Sequence, residues 1–178
     1  MIRPWLLLFA TLASAAEVVV DFESAAVLLP PSDKAHRVEQ WVEKGVTFKL
    51  AHPPRQSKAK GLVMFFEHLT TAHKGLGCAM ALEPIPVQAN FPQPVSTVTV
   101  SFWGSTVTPV QLEAFDAEGK LVDRAHLPSI PAKKSPSEPA PIFKLTVSAP
   151  RIAYIQFSGP RVGEFLAADE VRFTPAIP

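Results

Sequence analysis

Residues 95–104 read Val-Ser-Thr-Val-Thr-Val-Ser-Phe-Trp-Gly, the cleanest alternation in the chain. A period of two belongs to a β-strand, whose successive side chains point to opposite faces. Val98, Val100 and Phe102 fall on one face, built for a core. Thr97, Thr99, Ser101 and Trp103 fall on the other, which is polar but ends in a tryptophan. Long helices are a poor alternative. The chain carries 19 prolines against 8 glycines, and proline breaks helix interiors while suiting strand edges and rigid loops.

Shorter pieces repeat the pattern. Residues 18–23, 45–50, 62–66, 79–82, 109–115, 120–126, 142–147, 151–157 and 170–173 each read as a strand. In 45–50, Val46, Phe48 and Leu50 face in while Thr47 and Lys49 face out. Asp116-Ala-Glu-Gly119 is a turn that joins two of the strands into a hairpin. Residues 24–40 and 68–77 read as loops, 84–94 as a proline-punctuated connection, and 128–141 as a long proline-rich loop within the domain. About ten short strands with turn signals between them indicate an all-β sandwich or barrel.

The first 16 residues are set apart. Arg3 precedes an apolar run of roughly 8–12 residues, and small residues follow, the layout of a secretory signal peptide. The run falls short of the ~20 residues of a transmembrane helix. Cleavage is expected after Ala15 or Ala16, with Ala16 preferred, so that residues 17–178 form one domain. The product is expected to be free in the periplasm or outside the cell. Cys78 is the lone cysteine, so the exported domain has no internal disulfide, and Cys78 itself is expected to be a buried thiol within an apolar run.

Loss of residues 1–16 removes Arg3 and no acid, leaving 16 basic and 16 acidic residues. A formally neutral domain lacks the basic surface that nucleic acid or an anionic membrane requires. The Arg55–Lys60 loop is locally basic and is read as solvated surface.

Several segments together resemble the galactose-binding-like jelly-roll domains of secreted bacterial proteins, a group that includes carbohydrate-binding modules. They are Asp21-Phe-Glu23, Gly45-Val-Thr-Phe48, the Pro94–Phe102 strand, Val110-Gln-Leu-Glu-Ala-Phe-Asp-Ala-Glu-Gly119, Ile152-Ala-Tyr-Ile-Gln-Phe-Ser-Gly159 and Ala168-Asp-Glu-Val-Arg-Phe173. The resemblance spans nearly all of residues 17–178. It implies a two-sheet antiparallel jelly-roll β-sandwich. It also implies a structural calcium ion between the first and last strands, with Glu23 and Asp169 as ligands and Asp21 and Glu170 as additional ones. Carboxylates and backbone carbonyls are the oxygen donors that Ca²⁺ prefers.

The polar face suggests a second site. Thr99, Ser101 and Trp103 are expected to share it with Gln111 and Glu113, with Tyr154 and Gln156, and with Arg172. An aromatic ring beside amide and carboxylate groups is the chemistry that recognises a sugar. A third candidate is the loop carrying Glu67, His68, His73 and Lys74. Its histidines are five apart, which is not the His-Glu-x-x-His zinc spacing, so a binding role is the reading for His68 and His73. No Gly-x-Ser-x-Gly elbow is present.

The expected function is therefore an exported, non-catalytic module that binds carbohydrate or another cell-surface ligand. The alternatives are a small secreted hydrolase or lyase using Glu113 or His68, and a structural or adhesion protein.

Overall fold

The computed structural model describes residues 15–24, 35–53, 62–65, 75–78, 85–106, 108–130, 141–158 and 165–177. Among these residues eleven strands follow one another: β1 (Val18–Val20), β2 (Ala35–Val38), β3 (Gln40–Glu43), β4 (Val46–Leu50), β5 (Leu62–Phe65), β6 (Gly75–Cys78), β7 (Val87–Ser105), β8 (Val110–Phe115), β9 (Leu121–Leu127), β10 (Phe143–Ser158) and β11 (Phe165–Pro175). Among the described residues no helix is long and apolar enough to cross a membrane.

All the strands belong to one hydrogen-bonded sheet, in the order β2-β5-β6-β11-β7-β10-β8-β9, with β1 on β11, and β4, carrying β3, on β7. Among the described residues the ladders are antiparallel throughout. The sheet closes on itself as a sandwich because β7 and β10 run through both layers. In the first layer, the 95–105 half of β7 pairs with β11 on one side and with residues 143–148 of β10 on the other. In the second layer, residues 87–90 of β7 pair with β4 and with residues 154–157 of β10, and β8 and β9 extend that layer.

The bend between layers falls on prolines. Pro92 and Pro94 occupy the stretch of β7 where β4 has ended and β11 has not begun. Pro150 occupies the break in the β10 register between Ser148 and Ile152. Proline lacks the N–H that a central strand must donate, so it fits where no ladder bond is made. This corrects two sequence expectations. Residues 87–94 belong to a strand and not to a connection, and the segments read as separate strands at 142–147 and 151–157 are one bent strand.

Val98, Val100 and Phe102 are all 0% exposed, as their alternation requires. They meet Leu145, Val147, Val171 and Phe173 from the first layer and Val46, Phe48, Val87, Leu112, Ile155 and Phe157 from the second in one cluster. Aromatic pairs cross between the layers. Phe102 meets Phe157 edge-on at 5.5 Å between centroids, and Phe22 meets Phe48 at 5.2 Å. Offset or edge-on ring pairs add to the stabilisation that burial alone gives.

Both sides of the sandwich are tied. On one side the chain passes from β2 in the first layer to β3 in the second. There the Glu43 carboxylate, largely buried, accepts from the Ser24 hydroxyl at 2.8 Å and from the Trp41 indole N–H at 3.0 Å. Two neutral donors on one oxygen offset part of the cost of burying a carboxylate. On the other side Asp123 of β9 reaches β10.

Residues 24–40 and 68–77 were expected to be loops, yet β2 lies in the first, β3 starts at its last residue, and β6 begins in the second. Short strands rich in Gly, His, Arg and Gln carry little alternation to read. Cys78 lies in β6, opposite Leu62. Residues 1–14 of the expected leader, the 79–82 strand and most of the proline-rich loop lie outside the described residues.

Candidate ligand-binding face

The outward surface of the second layer is assembled by register. Lys49, Gln88, Gln156, Glu113 and Arg124 are successive cross-strand partners from β4 to β9. With strands about 4.8 Å apart, the four steps of this row span roughly 19 Å. A second row beside it runs Thr47, Asn90, Tyr154, Phe115 and Leu121. Gln111 lies one step further along β8, opposite Ser158 and His126. The alternate residues Phe48, Ala89, Ile155, Leu112 and Ala114 are buried beneath, which holds these polar side chains on the outside.

The amides are wired in one direction. Gln156 Nε2 donates to Gln88 Oε1 at 3.0 Å. Gln88 Nε2 donates to Asn90 Oδ1 at 2.8 Å. Asn90 Nδ2 donates to the Thr47 carbonyl at 3.3 Å. Each amide nitrogen thus keeps a second N–H available, and Gln156 Oε1 heads the chain as an acceptor. At the far end Arg124 and Glu113 form an ion pair at 2.7 Å, which cancels charge on that stretch of the face.

Beside the amides, Phe115 and Tyr154 stack with centroids 4.9 Å apart and planes 9° from parallel. Leu121, 39% exposed, extends this apolar strip. The Tyr154 hydroxyl lies against Gly119, where an added Cβ would sit 3.5 Å from it. Glycine is required there for its φ of +80°, and the turn is further set by Asp116 Oδ1, which accepts the Lys120 N–H at 2.8 Å.

Of the residues expected at a sugar site, the structure brings together Gln111, Glu113, Tyr154 and Gln156. It separates them from Trp103, which belongs to the first layer and is 0% exposed. Trp103, expected among the ligand-binding residues, is therefore not part of this face. The register places Ala167 and then Gly77 beside it, two residues of little or no side-chain bulk that leave room for an indole. Ser101 is likewise buried, at 2% exposure. Thr99 is spent on Thr146, its hydroxyl 2.9 Å away. Arg172 stands on the outer side of the first layer, held by Glu170 and Glu17. His68 and His73 lie outside the described residues. Gln88 and Asn90 were missed because their segment was read as a connection, and Phe115 because it was taken only as part of a hairpin.

The acids expected to hold calcium share one end of the first layer. β1 pairs with β11, Val20 opposite Val171, so the next step brings Asp21 alongside Glu170. Glu170 accepts from Arg172 Nε and Nη2, each at 2.9 Å. That hydrogen-bonded guanidinium holds its carboxyl below the usual range, against a desolvation effect that raises it. Asp21 is 3.9 Å from Lys44 Nζ, which also donates to the Val19 carbonyl. Among the described residues, no three His, Cys, Asp or Glu side chains gather as a metal-holding group.

No protein-family model and no curated protein matches the chain. Solved structures resemble it at low identity. One is an arabinose-bound α-L-arabinofuranosidase, at 10% identity and a TM-score of 0.39 over 92% of this chain; the chain spans 27% of that protein's length. Another is a carbohydrate-binding module in complex with β-1,4-galactotriose, at 13% identity and a TM-score of 0.36, covering 74% of this chain and 83% of the module. A third is the cleaved adhesin domain of Lys-gingipain from Porphyromonas gingivalis, at 14% identity and a TM-score of 0.40, covering 91% of this chain and 99% of that domain.

Proposed function

We propose that the protein is an exported, non-catalytic binding module that takes an uncharged, extended oligosaccharide across the outer face of its second layer. The directional amide chain Gln156–Gln88–Asn90 is the observation that carries this reading. A sugar hydroxyl both donates and accepts, and the chain offers fixed N–H donors beside an acceptor at Gln156. Their mutual bonds orient the amides before a ligand arrives, which lowers the entropy cost of binding. The Phe115–Tyr154 stack and Leu121 supply apolar area for the C–H surfaces of a pyranose. A row of roughly 19 Å suits a chain of sugars better than a single ring. The leader-like residues 1–16 support export to the periplasm or beyond.

Glu113 gives no support to the hydrolase alternative, because its carboxylate is engaged by Arg124. Calorimetric titration with neutral oligosaccharides tests the proposal. Gln156→Ala and Tyr154→Ala should each weaken binding about tenfold, ~1.4 kcal/mol. Absence of binding to any neutral glycan, or binding indifferent to both substitutions, would overturn the proposal.

A further inference from the structure

A cleft lies between the β8–β9 turn and the bends of β7 and β10. It encloses about 370 Å³, within the range of small-molecule sites. Its apolar walls include Pro94, Val122 and Pro150, and its charged groups are Asp116, Glu118 and Arg151. Aromatic rings and amide side chains are both missing from its lining, so it lacks the groups that make the outer face suitable for a sugar. Alkyl walls with opposite charges at the rim fit a different chemistry.

We infer that this cleft binds a short zwitterionic ligand with an alkyl body, of amino-acid to dipeptide size, its ammonium toward Asp116 and Glu118 and its carboxylate toward Arg151. The frame is rigid where a site needs rigidity. Two prolines fix the backbone of the wall. The turn is locked by the Asp116 N–H to Lys120 carbonyl bond at 3.0 Å and the Gly119 N–H to Asp116 carbonyl bond at 3.2 Å. One Asp116 oxygen is spent on the Lys120 N–H, and the other remains to meet a cation. Glu118 and Arg151 are exposed, and neither takes part in an ion pair with the other described residues. Acids from the β8–β9 turn and a guanidinium from β10 line one cleft with alkyl walls, and such a pair recognises the two charged ends of one small molecule and discriminates against a ligand lacking either.

The cleft shares the β8–β9 turn with the glycan face but none of its lining residues, and its test uses a different probe. Ala-Val dipeptide is titrated into the full protein and followed by calorimetry or by NMR shifts of Val122 and Ala153. Saturable binding is expected. Acetylating the dipeptide's amine or amidating its carboxylate should each weaken it about tenfold, ~1.4 kcal/mol. Arg151→Ala should abolish the penalty for amidation, and Glu118→Gln should reduce the penalty for acetylation. Both residues are exposed, so neither change threatens the fold. Failure of the dipeptide to saturate, or affinity unaltered by both caps and both substitutions, would overturn the assignment.

Discussion

Asp123 Oδ2 accepts the backbone N–H of Ser148 at 2.7 Å and so joins the free edge of β9 to the bend of β10. Ser148 sits where the β10 register breaks, and its N–H has the aspartate as acceptor. The same carboxylate takes the Arg124 N–H through Oδ1 at 2.8 Å. One side chain thus stitches the two layers together on the side opposite Glu43. Asp123→Ala should cost about 1.5–3 kcal/mol, the range for a hydrogen bond to a charged acceptor. Asp123→Asn keeps one acceptor oxygen and should cost less. Denaturant midpoints of the three proteins give the comparison, and an alanine variant as stable as the parent would deny the side chain this role.

Gly45 and Gly119 share a φ of +80° but differ in what surrounds them. Lys44 and Gly45 both have positive φ and link β3 to β4 in two residues, the backbone of a type I′ hairpin turn. A Cβ on Gly45 would come within 3.2 Å of Pro92 Cγ, whereas one on Gly119 would meet the Tyr154 hydroxyl at an ordinary 3.5 Å. Alanine at either site carries the left-handed penalty of about 1–2 kcal/mol. Gly45→Ala should exceed Gly119→Ala, because the proline ring at the layer bend has little freedom to yield. Equal losses of thermal midpoint in the two variants would show that the proline contact adds nothing.

Acid sensitivity should reside in part at Glu170. The folded protein holds this carboxyl below its ordinary value, first through the Arg172 hydrogen bonds. A group with a depressed folded pKa contributes stability above its unfolded pKa, and that contribution is lost as pH falls through the folded one. The wild type should therefore lose more stability than Glu170→Gln between neutral pH and the acid side of the carboxylate range. Parallel stability–pH profiles would rule the contribution out.

The same cluster makes a statement about calcium. An ion expected on Glu23 and Asp169 that also drew on Asp21 and Glu170 must compete for the latter two with Lys44 and Arg172. Adding chelator, and then excess calcium, should leave the melting midpoint unchanged. A calcium-dependent rise would restore the ion to the junction of the first and last strands.

Strand periodicity made the core legible. Val46, Phe48, Val98, Val100 and Phe102 alternate with polar neighbours, and all five are fully buried. What stayed hidden were the places where tertiary context overrules the local pattern. Pro92 and Pro94 read as a loop, because nothing local reveals that β4 ends and β11 begins around them. Gln88 and Asn90 went with that loop, and half of the amide chain with them. Trp103 sits at an outward position of its strand, yet burial depends on what lies above the strand. The small residue Ala167 lies opposite it and Gly77 opposite Ala167 on the next strand, but only the register reveals this order.

Trp103 therefore leaves the outward face that alternation assigns it, while Tyr154 keeps its place on one. Trp103 is fully buried in the first layer, and Tyr154 is partly exposed in the second, stacked on Phe115. Trp103→Ala should destabilise the protein by about 3–5 kcal/mol, the usual cost of removing a large core aromatic. Trp103→Phe retains most of the volume and should bind neutral oligosaccharide as the parent does. Tyr154→Ala should do the reverse, losing ligand with a smaller loss of stability, because its ring stands at the surface. Iodide quenching adds an independent reading. With Trp41 and Trp103 at 7% and 0% exposure, fluorescence of the protein without residues 1–16 should resist the quencher whether or not ligand is bound. Strong quenching that a glycan relieves would return Trp103 or Trp41 to the binding site and remove Tyr154 from it.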